Sequence, residues 1–474
     1  MISREPAVDA PVRSQPEEEH DVVAIGCGPF NLGLAALALG IEGLDLVVFE
    51  AQPELRWHPG LMFEDATLQL SFLADLVTLV DPTHPLSFLA YLRDSDRMYG
   101  FYVRERFHPT RREYEDYLRW VAGRLPSVRF SQRVERVERD AERARFVVEL
   151  AAADGSRSRV LARDLVIGIG SEPHLPKALR ALPESRLLHS ACYLERCADV
   201  ARASHVTVIG SGQSAAEIVV DLLRRNLAGG PAISWLTRSR AFAPLDYTKL
   251  VLEMTTPAYV EYFHGLPQST KDRLLEEQWQ HYKGISSETL DEIHDLLYRR
   301  ELQPGLAPVE LRCGVELESA EQQAADTLLC CRHRDTRLPL VQRTGLVVAA
   351  TGYRPRRPAF LDPLEGLLRR DRQGRPRVRL DYSLELTSSI SGRIFQTNGE
   401  LHSHGAATPD LGIGAVRNAT ILNTLAGREI YRLPQRTAFT SFAPPAQARA
   451  ADAAGVSAPC PEAAAHQPVS ARLP

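Results

Sequence analysis

The stretch Asp21-Val-Val-Ala-Ile-Gly26-Cys-Gly28-Pro29-Phe-Asn31-Leu-Gly33 decides the fold. An apolar run of strand length ends in a glycine turn and passes into Leu34-Ala-Ala-Leu-Ala-Leu, an apolar segment of helical composition. In a strand–turn–helix unit of this kind the first glycine makes the tight turn and the second lets the backbone approach a pyrophosphate. The helix N-terminus then aims its N–H groups at the anion. Gly26 and Gly28 fill these two positions, Pro29 follows, and Asn31 stands where a third glycine would. The next strand, Leu44-Asp-Leu-Val-Val-Phe-Glu50, ends in a carboxylate able to accept from a ribose hydroxyl, as the adenosine of NAD or FAD requires.

The same unit recurs mid-chain as His205-Val-Thr-Val-Ile-Gly210-Ser-Gly212-Gln213-Ser214-Ala215-Ala-Glu217, leading into an apolar helix from Ile218 to Leu223. Its following strand, Ile233-Ser-Trp-Leu-Thr, ends in Arg238-Ser-Arg240 where the first copy has an acid. A carboxylate there would repel a ribose phosphate, whereas a guanidinium pairs with it in bidentate fashion. Arg238 or Arg240 is therefore expected to hold the phosphate of NADPH. One acidic and one basic site place FAD in the first unit and NADPH in the second. A third apolar strand, Gly345-Leu-Val-Val-Ala-Ala-Thr351-Gly352-Tyr353, stops at a glycine turn.

These elements predict an α/β fold with two Rossmann-like dinucleotide-binding domains and a smaller, mostly helical substrate region. Residues 1–19 read as a disordered leader and 20–200 as the first part of the FAD domain. Residues 201–340 read as the NADPH domain with a helical insertion at about 245–300, including Tyr259 to Phe263 and Asp272 to Gln280. Residues 341–442 are expected to return to the FAD domain and close the substrate site, and 443–474 form an Ala/Pro-rich flexible tail. The first domain is thus discontinuous, because the third strand must find partners already made.

Composition narrows the function. The chain has 474 residues, 44% hydrophobic and 24% charged, with a formal charge of -4, which argues against nucleic acid as the main partner. Nine arginines between Arg354 and Arg379 are broken by Pro355, Pro358, Asp371 and Pro376, and read as a solvated connecting surface. The seven cysteines include no C-x-x-C pair, which excludes a redox dithiol and fits a reducing cytoplasm. No signal peptide is visible, and the longest apolar stretch, Leu32 to Ile41, is too short to span a bilayer, so a cytoplasmic protein without membrane contact is expected. His402 and His404 lack a third ligand nearby, so no metal is expected. Cys330 and Cys331 read as part of an alternating strand.

Several strings together, GCGPFNLG, Trp57-His58-Pro59-Gly60-Leu-Met, Leu68-Gln69-Leu-Ser-Phe-Leu, GSGQSAAE and ATGY, resemble the microbial N-hydroxylating flavin monooxygenases. The resemblance runs from about residue 20 to 435. It implies that NADPH reduces FAD, that O2 forms a flavin hydroperoxide, and that a neutral amine of ornithine, lysine or a diamine is hydroxylated for hydroxamate siderophores. It places Glu50 through His58 along FAD, Gln69 beside the flavin ring as a catalytic residue, and Pro409, Asp410 and Leu411 over it. It puts Gly210, Gly212 to Ala215 and Arg238 on NADPH, with Lys283 in that group and in the catalytic set. Val134, Thr351 and Gly352 join the cofactor-binding residues, and a homotetramer is implied. No side-chain nucleophile is needed, and no Ser/His/Asp or Cys/His grouping is found.

Departures from the family pattern point to the substrate. Ornithine and lysine enzymes have Phe-Leu-Lys-Asp-Leu, whose lysine meets the substrate carboxylate; this chain has Phe72-Leu73-Ala74-Asp75-Leu76. The ornithine enzymes place Asn before the acid in the segment matching Leu252-Glu253, and Ser where this chain has Gly412. A buried carboxylate without its cation would be penalised by several kcal/mol, so an aliphatic diamine, putrescine or cadaverine, is the expected substrate. Tyr247, Glu253 and Asp410 are candidates to hold the far ammonium, or else solvated and capping residues. L-lysine is the alternative substrate, with a cation such as Lys249 reaching its carboxylate from another segment. A non-catalytic nucleotide sensor and an uncoupled NADPH oxidase are the remaining alternatives.

Overall fold

The computed structural model describes residues 17–443. Strand β1 (Glu18–Ile25) leads through helix α1 (Pro29–Ala38) to β2 (Leu46–Phe49), parallel to it. Helix α2 (Arg111–Ala122) precedes β3 (Val128–Arg129), which pairs with β2. Strands β4 (Gln132–Asp140), β5 (Arg145–Ala152) and β6 (Arg157–Ile167) form an antiparallel meander whose last strand returns beside β1. The order is β3-β2-β1-β6-β5-β4. Val22 to Ile25 and Leu46 to Phe49 are buried on both faces, which is why they read as unbroken apolar runs.

The chain leaves this unit through β7 (Ser171–Pro173) and builds a second sheet from β8 (Leu187–His189), β9 (His205–Ile209), β10 (Ala232–Leu236) and β11 (Val309–Arg312). Helix α3 (Gln213–Leu227) crosses from β9 to β10, and α4 (Ser287–Glu301) packs on α3. A three-stranded antiparallel sheet follows, made of β12 (Val315–Gln323), β13 (Asp326–His333) and β14 (Pro339–Thr344). Strand β15 (Leu346–Ala349) then inserts between β9 and β8, giving the parallel order β11-β10-β9-β15-β8. Strand β16 (Tyr353–Pro355) pairs antiparallel with β7, so both crossings between the units run side by side. Strand β17 (Ile394–Gln396) joins β6, and helix α5 (Gly414–Ala426) packs on α1.

Several boundaries differ from the sequence reading. The expected leader ends earlier: β1 starts at Glu18, because Glu18 and Glu19 already pair with Val160 and Leu161 of β6, and Glu17, Glu18 and Glu19 meet Arg143, Arg129 and Arg145. The rest of that leader and all but the first residue of the expected tail, with Cys460, lie outside the described residues. The strand at 345–350 belongs to the second sheet, since its backbone partners are β9 and β8. The return to the first unit begins beyond Pro355, and the second unit already includes β8, upstream of residue 201. The expected helix from Asp272 to Gln280 is two pieces, Gln268–Glu277 and Gln280–Lys283. His402 and His404 lie on a short helix; one bonds the Pro376 carbonyl and the other stacks on Tyr382. In the arginine-rich segment Arg354, Arg357, Arg370 and Arg375 each pair with a nearby carboxylate. Among the described residues no helix is long and apolar enough to cross a membrane.

Candidate active site

Each central strand delivers its glycine turn to the carboxyl end of its sheet, where ligands bind in open α/β folds. In the first unit Gly26 has φ +90° and lies so close to Gly168 that a Cβ would meet its carbonyl oxygen at 2.6 Å. Gly28 caps α1, and the space its Cβ would occupy is open. Pro29 at the first helical position leaves the N–H groups of Phe30 and Asn31 to face outward. This is the shape of a pyrophosphate cradle. Asn31 does not replace a packing glycine; its fully buried amide donates to the carbonyls of Ile25 (3.1 Å) and Gly26 (2.9 Å), pinning the turn. The close helix contact falls on Gly33, where a Cβ would press on the Asn418 amide at 2.8 Å.

Glu50 leaves β2 with its carboxylate folded back beside this turn, accepting from the N–H groups of Cys27 (2.7 Å) and Gln52 (2.8 Å). Trp57 packs against Tyr114 and His58, and its backbone N–H donates to Glu115. His58, in the left-handed region at φ 53°, lies edge-on to Trp57 and, at 6.2 Å, to Tyr353 of β16. Crowding by protein, and then the Arg111 charge, hold its imidazole below the usual histidine range. Val134 is a core side chain of β4, which leaves only its backbone, next to a bulge, to meet a ligand.

In the second unit Gly210 has φ +139° and its Cβ position overlaps the Ala350 carbonyl. Gly212 caps α3, with Gln213 and Ser214 half-buried in the first turn and Ala215 buried. The structure separates the two candidate arginines. Arg240 is bound to Asp335 at 3.0 Å, whereas no ion pair or side-chain hydrogen bond of Arg238 is present among the described residues. Lys283 ends the short helix beside Gly212, and burial together with the Arg238 charge lowers its ammonium below the usual lysine range. Two cations that repel each other beside a glycine cradle form a site that an anion relieves. Thr351 and Gly352 sit where β15 ends; the Thr351 hydroxyl donates to the His174 carbonyl at 2.5 Å, and Gly352 accepts from His189.

The two cradles meet at a short seam. Gln69 donates from Nε2 to Gln213 Oε1 at 3.2 Å, which brings the residue expected beside the flavin to the first turn of α3. The residues expected at the substrate form a separate group. Ala74 is buried, and a Cβ on Gly412 would stand 3.9 Å from the Ala74 Cβ and 2.9 Å from Asp410 Oδ1. Asp410 is 9% exposed; Gly412 N–H donates to it at 2.7 Å and Tyr247 Oη at 3.4 Å. Burial raises its carboxyl to about 6 against those two hydrogen bonds. Pro409 is exposed and Leu411 half-buried on either side of it. Glu253 is not part of this group: its carboxylate accepts from the N–H groups of Phe439 and Thr440, both at 2.8 Å. Leu252 precedes it, at the end of a one-turn helix that Lys249 opens from an exposed position. Sequence reasoning missed Arg111, whose fork holds Glu217 across the seam; a lone arginine 106 residues from its partner carries no local signal.

Two dinucleotide cradles facing one seam, one with an acid and one with free cations, define an oxidoreductase built on two nucleotide cofactors. Residues 18–355 match the L-lysine 6-monooxygenase/L-ornithine 5-monooxygenase family, and the chain belongs to it. It is 39% identical to a putrescine N-hydroxylase of Shewanella oneidensis over 426 residues, 90% of this chain and 84% of that protein. Among solved structures it is similar to the FAD-bound cadaverine monooxygenase of desferrioxamine biosynthesis from Erwinia amylovora. The TM-score is 0.87 at 38% identity, covering 90% of this chain and 99% of that one. An ornithine N-hydroxylase of Kutzneria sp. 744, solved with reduced FAD, NADP+ and L-ornithine, aligns with TM-score 0.79 at 27% identity, covering 87% and 99%.

Proposed function

We propose that this protein hydroxylates one primary amine of an aliphatic diamine, putrescine or cadaverine, using FAD, NADPH and O2, as a step toward a hydroxamate siderophore. The juxtaposition of Ala74, Gly412 and Asp410 carries this reading. Two positions that would serve a substrate carboxylate are a methyl and a hydrogen, side by side. The third group is a buried carboxylate, which an ammonium would neutralise and an α-carboxylate would oppose. Similarity to a putrescine N-hydroxylase and a cadaverine monooxygenase supports the same substrate class.

The residues fit the two cofactors: Gly26, Gly28, Pro29 and Glu50 would hold FAD, and Gly210, Gly212, Ser214, Arg238 and Lys283 would hold NADPH. Together the cofactors supply the electrons and activate the oxygen. The balance is R–NH2 + O2 + NADPH + H+ giving R–NHOH + H2O + NADP+, with one oxygen atom entering the new N–O bond. The chain's part is to orient and to desolvate. Asp410, supported by Tyr247 and the Gly412 N–H, anchors the distal ammonium and so leaves the other amine free to lose its proton and react.

The test is hydroxylamine formed with FAD and NADPH across putrescine, cadaverine, L-lysine and L-ornithine. Efficient turnover of a diamine with poor turnover of both amino acids is the expected result. Lysine as the best substrate would overturn the reading of Ala74 and Gly412.

A further inference from the structure

Four side chains close a hydrogen-bonded chain across the seam. Arg111 on α2 of the first unit reaches Glu217 on α3 of the second in a fork, Nη1 to Oε2 at 2.7 Å and Nη2 to Oε1 at 2.6 Å. The two side chains are only 16% and 10% exposed. Arg111 also donates to the Leu61 carbonyl at 3.2 Å, on the loop that follows His58. Glu217 Oε1 accepts in turn from Gln213 Nε2 at 2.9 Å, and Gln213 Oε1 accepts from Gln69 Nε2 at 3.2 Å, back in the first unit.

The polarity of this chain is forced. The Ser286 backbone N–H can only donate, and it meets Gln213 Oε1 at 2.8 Å, so that atom is the carbonyl oxygen. Gln213 Nε2 then faces Glu217 and the Thr289 hydroxyl (3.0 Å), and every hydrogen-bonding position of the amide is committed. Gln69 must therefore turn its NH2 toward Gln213, which leaves its carbonyl oxygen on the side away from Gln213. A bidentate, largely desolvated guanidinium–carboxylate pair is the strongest polar contact at such a boundary.

We propose that Arg111, Glu217 and Gln213 are positioning residues that fix the orientation and polarity of the Gln69 amide between the two cofactors, and so couple NADPH oxidation to N-hydroxylation. The proposal rests on the placement of FAD and NADPH argued above. Gln213 lies in the first turn of α3, so the helix end that would receive the dinucleotide also carries the side chain that orients Gln69.

The test uses the FAD-loaded enzyme with Glu217→Gln, Arg111→Lys, which keeps the charge but loses the fork, and the double variant. Three quantities are read: anaerobic bleaching of the flavin by NADPH, hydroxylamine formed per NADPH consumed, and half-saturation by NADPH and putrescine. Each single variant is expected to slow bleaching about tenfold and to lower hydroxylamine yield per NADPH, with both half-saturation values changed less than about twofold. The double variant is expected to be no worse than the poorer single one, since the pair acts as a unit. Wild-type bleaching and yield in both single variants, or additive losses in the double, would overturn the proposal. Wild-type protein that holds no FAD, or whose flavin NADPH does not bleach, would overturn the two-cofactor reading and this positioning role with it.

Discussion

Arg417 Nη2 stands 3.2 Å from Glu400 Oε1, and the side chains are 1% and 0% exposed. The same Nη2 donates to the Thr408 carbonyl at 2.6 Å, and the guanidinium lies over Phe30 at 4.6 Å. One ion pair thus fastens α5, the first turn of α1 and the loop that carries Asp410. Removing one partner of a buried pair leaves an uncompensated charge and costs about 3–5 kcal/mol. Glu400→Ala is expected to lose that much in urea denaturation, whereas Arg417→Met with Glu400→Leu recovers most of it.

Asp410→Asn keeps the shape and the Gly412 contact but removes the charge. Truncating a charge that holds a buried ammonium costs about 2–5 kcal/mol, thirtyfold or more in binding. Steady-state KM for the diamine should rise accordingly while FAD content is unchanged. Tyr247→Phe removes a longer bond and should raise KM less than about tenfold.

The raised Asp410 carboxyl sets a pH dependence. The group is ionised above about 6 and neutral below it, so diamine binding is flat near pH 7 to 8 and weakens as pH falls through 6. The diamine-induced rise in Tm, measured from pH 5 to 8, should fade at the acid end, and the fading should vanish in Asp410→Asn. In the ligand-free protein the sign is opposite: the raised value makes the ionised form costly, so this group lowers stability as pH rises toward 6.

Ala74→Lys puts an ammonium next to Asp410, where it competes with the substrate's own. The expected outcome is a diamine KM raised by about tenfold or more, with little loss of flavin. Gly412→Ser in the same background adds a side chain 2.9 Å from Asp410 Oδ1, and is expected to reduce diamine turnover further. Competition assays with L-lysine show whether amino-acid turnover rises as diamine turnover falls.

Arg238 and Arg240 should behave differently although one residue separates them. Charged hydrogen bonds are worth about 1.5–3 kcal/mol, so Arg238→Ala is expected to erode the preference for NADPH over NADH by tenfold or more in kcat/KM. Arg240→Ala breaks only an exposed pair with Asp335 and should change that preference less than about twofold.

Both glycine turns, the acid at Glu50 and the basic turn at Arg238 are legible in the sequence because each is local: a strand, a turn and a helix within thirty residues or so. The placement of β15 is not, since Leu346 to Ala349 would suit the middle of either sheet and only the register with β9 and β8 decides. Ala74 and Gly412 are informative one at a time through the family resemblance, but their contact joins segments far apart in the chain. Glu253 reads as a pocket acid because its segment matches the one where the ornithine enzymes place Asn before an acid, and the structure commits it to the backbone of Phe439 and Thr440. Asn31 reads as a missing glycine, yet the space a Cβ on Gly168 would need is filled by its amide.

The ribbon of β7 and β16 brackets the second unit like a pair of parentheses: every strand of the parallel NADPH-side sheet lies between Ser171 and Pro355, and every strand of the first sheet lies outside them. Paired strands lie about 4.8 Å apart, a gap that a tight turn can close. The nucleotide unit is therefore topologically an insert, exchangeable as a block without rethreading the unit that hosts it, and such an exchange must match two surfaces: the seam at Gln69 and Arg111, and the contacts of the helical segment at Tyr247, Glu253 and Gln268 with Asp410, Phe439 and His402.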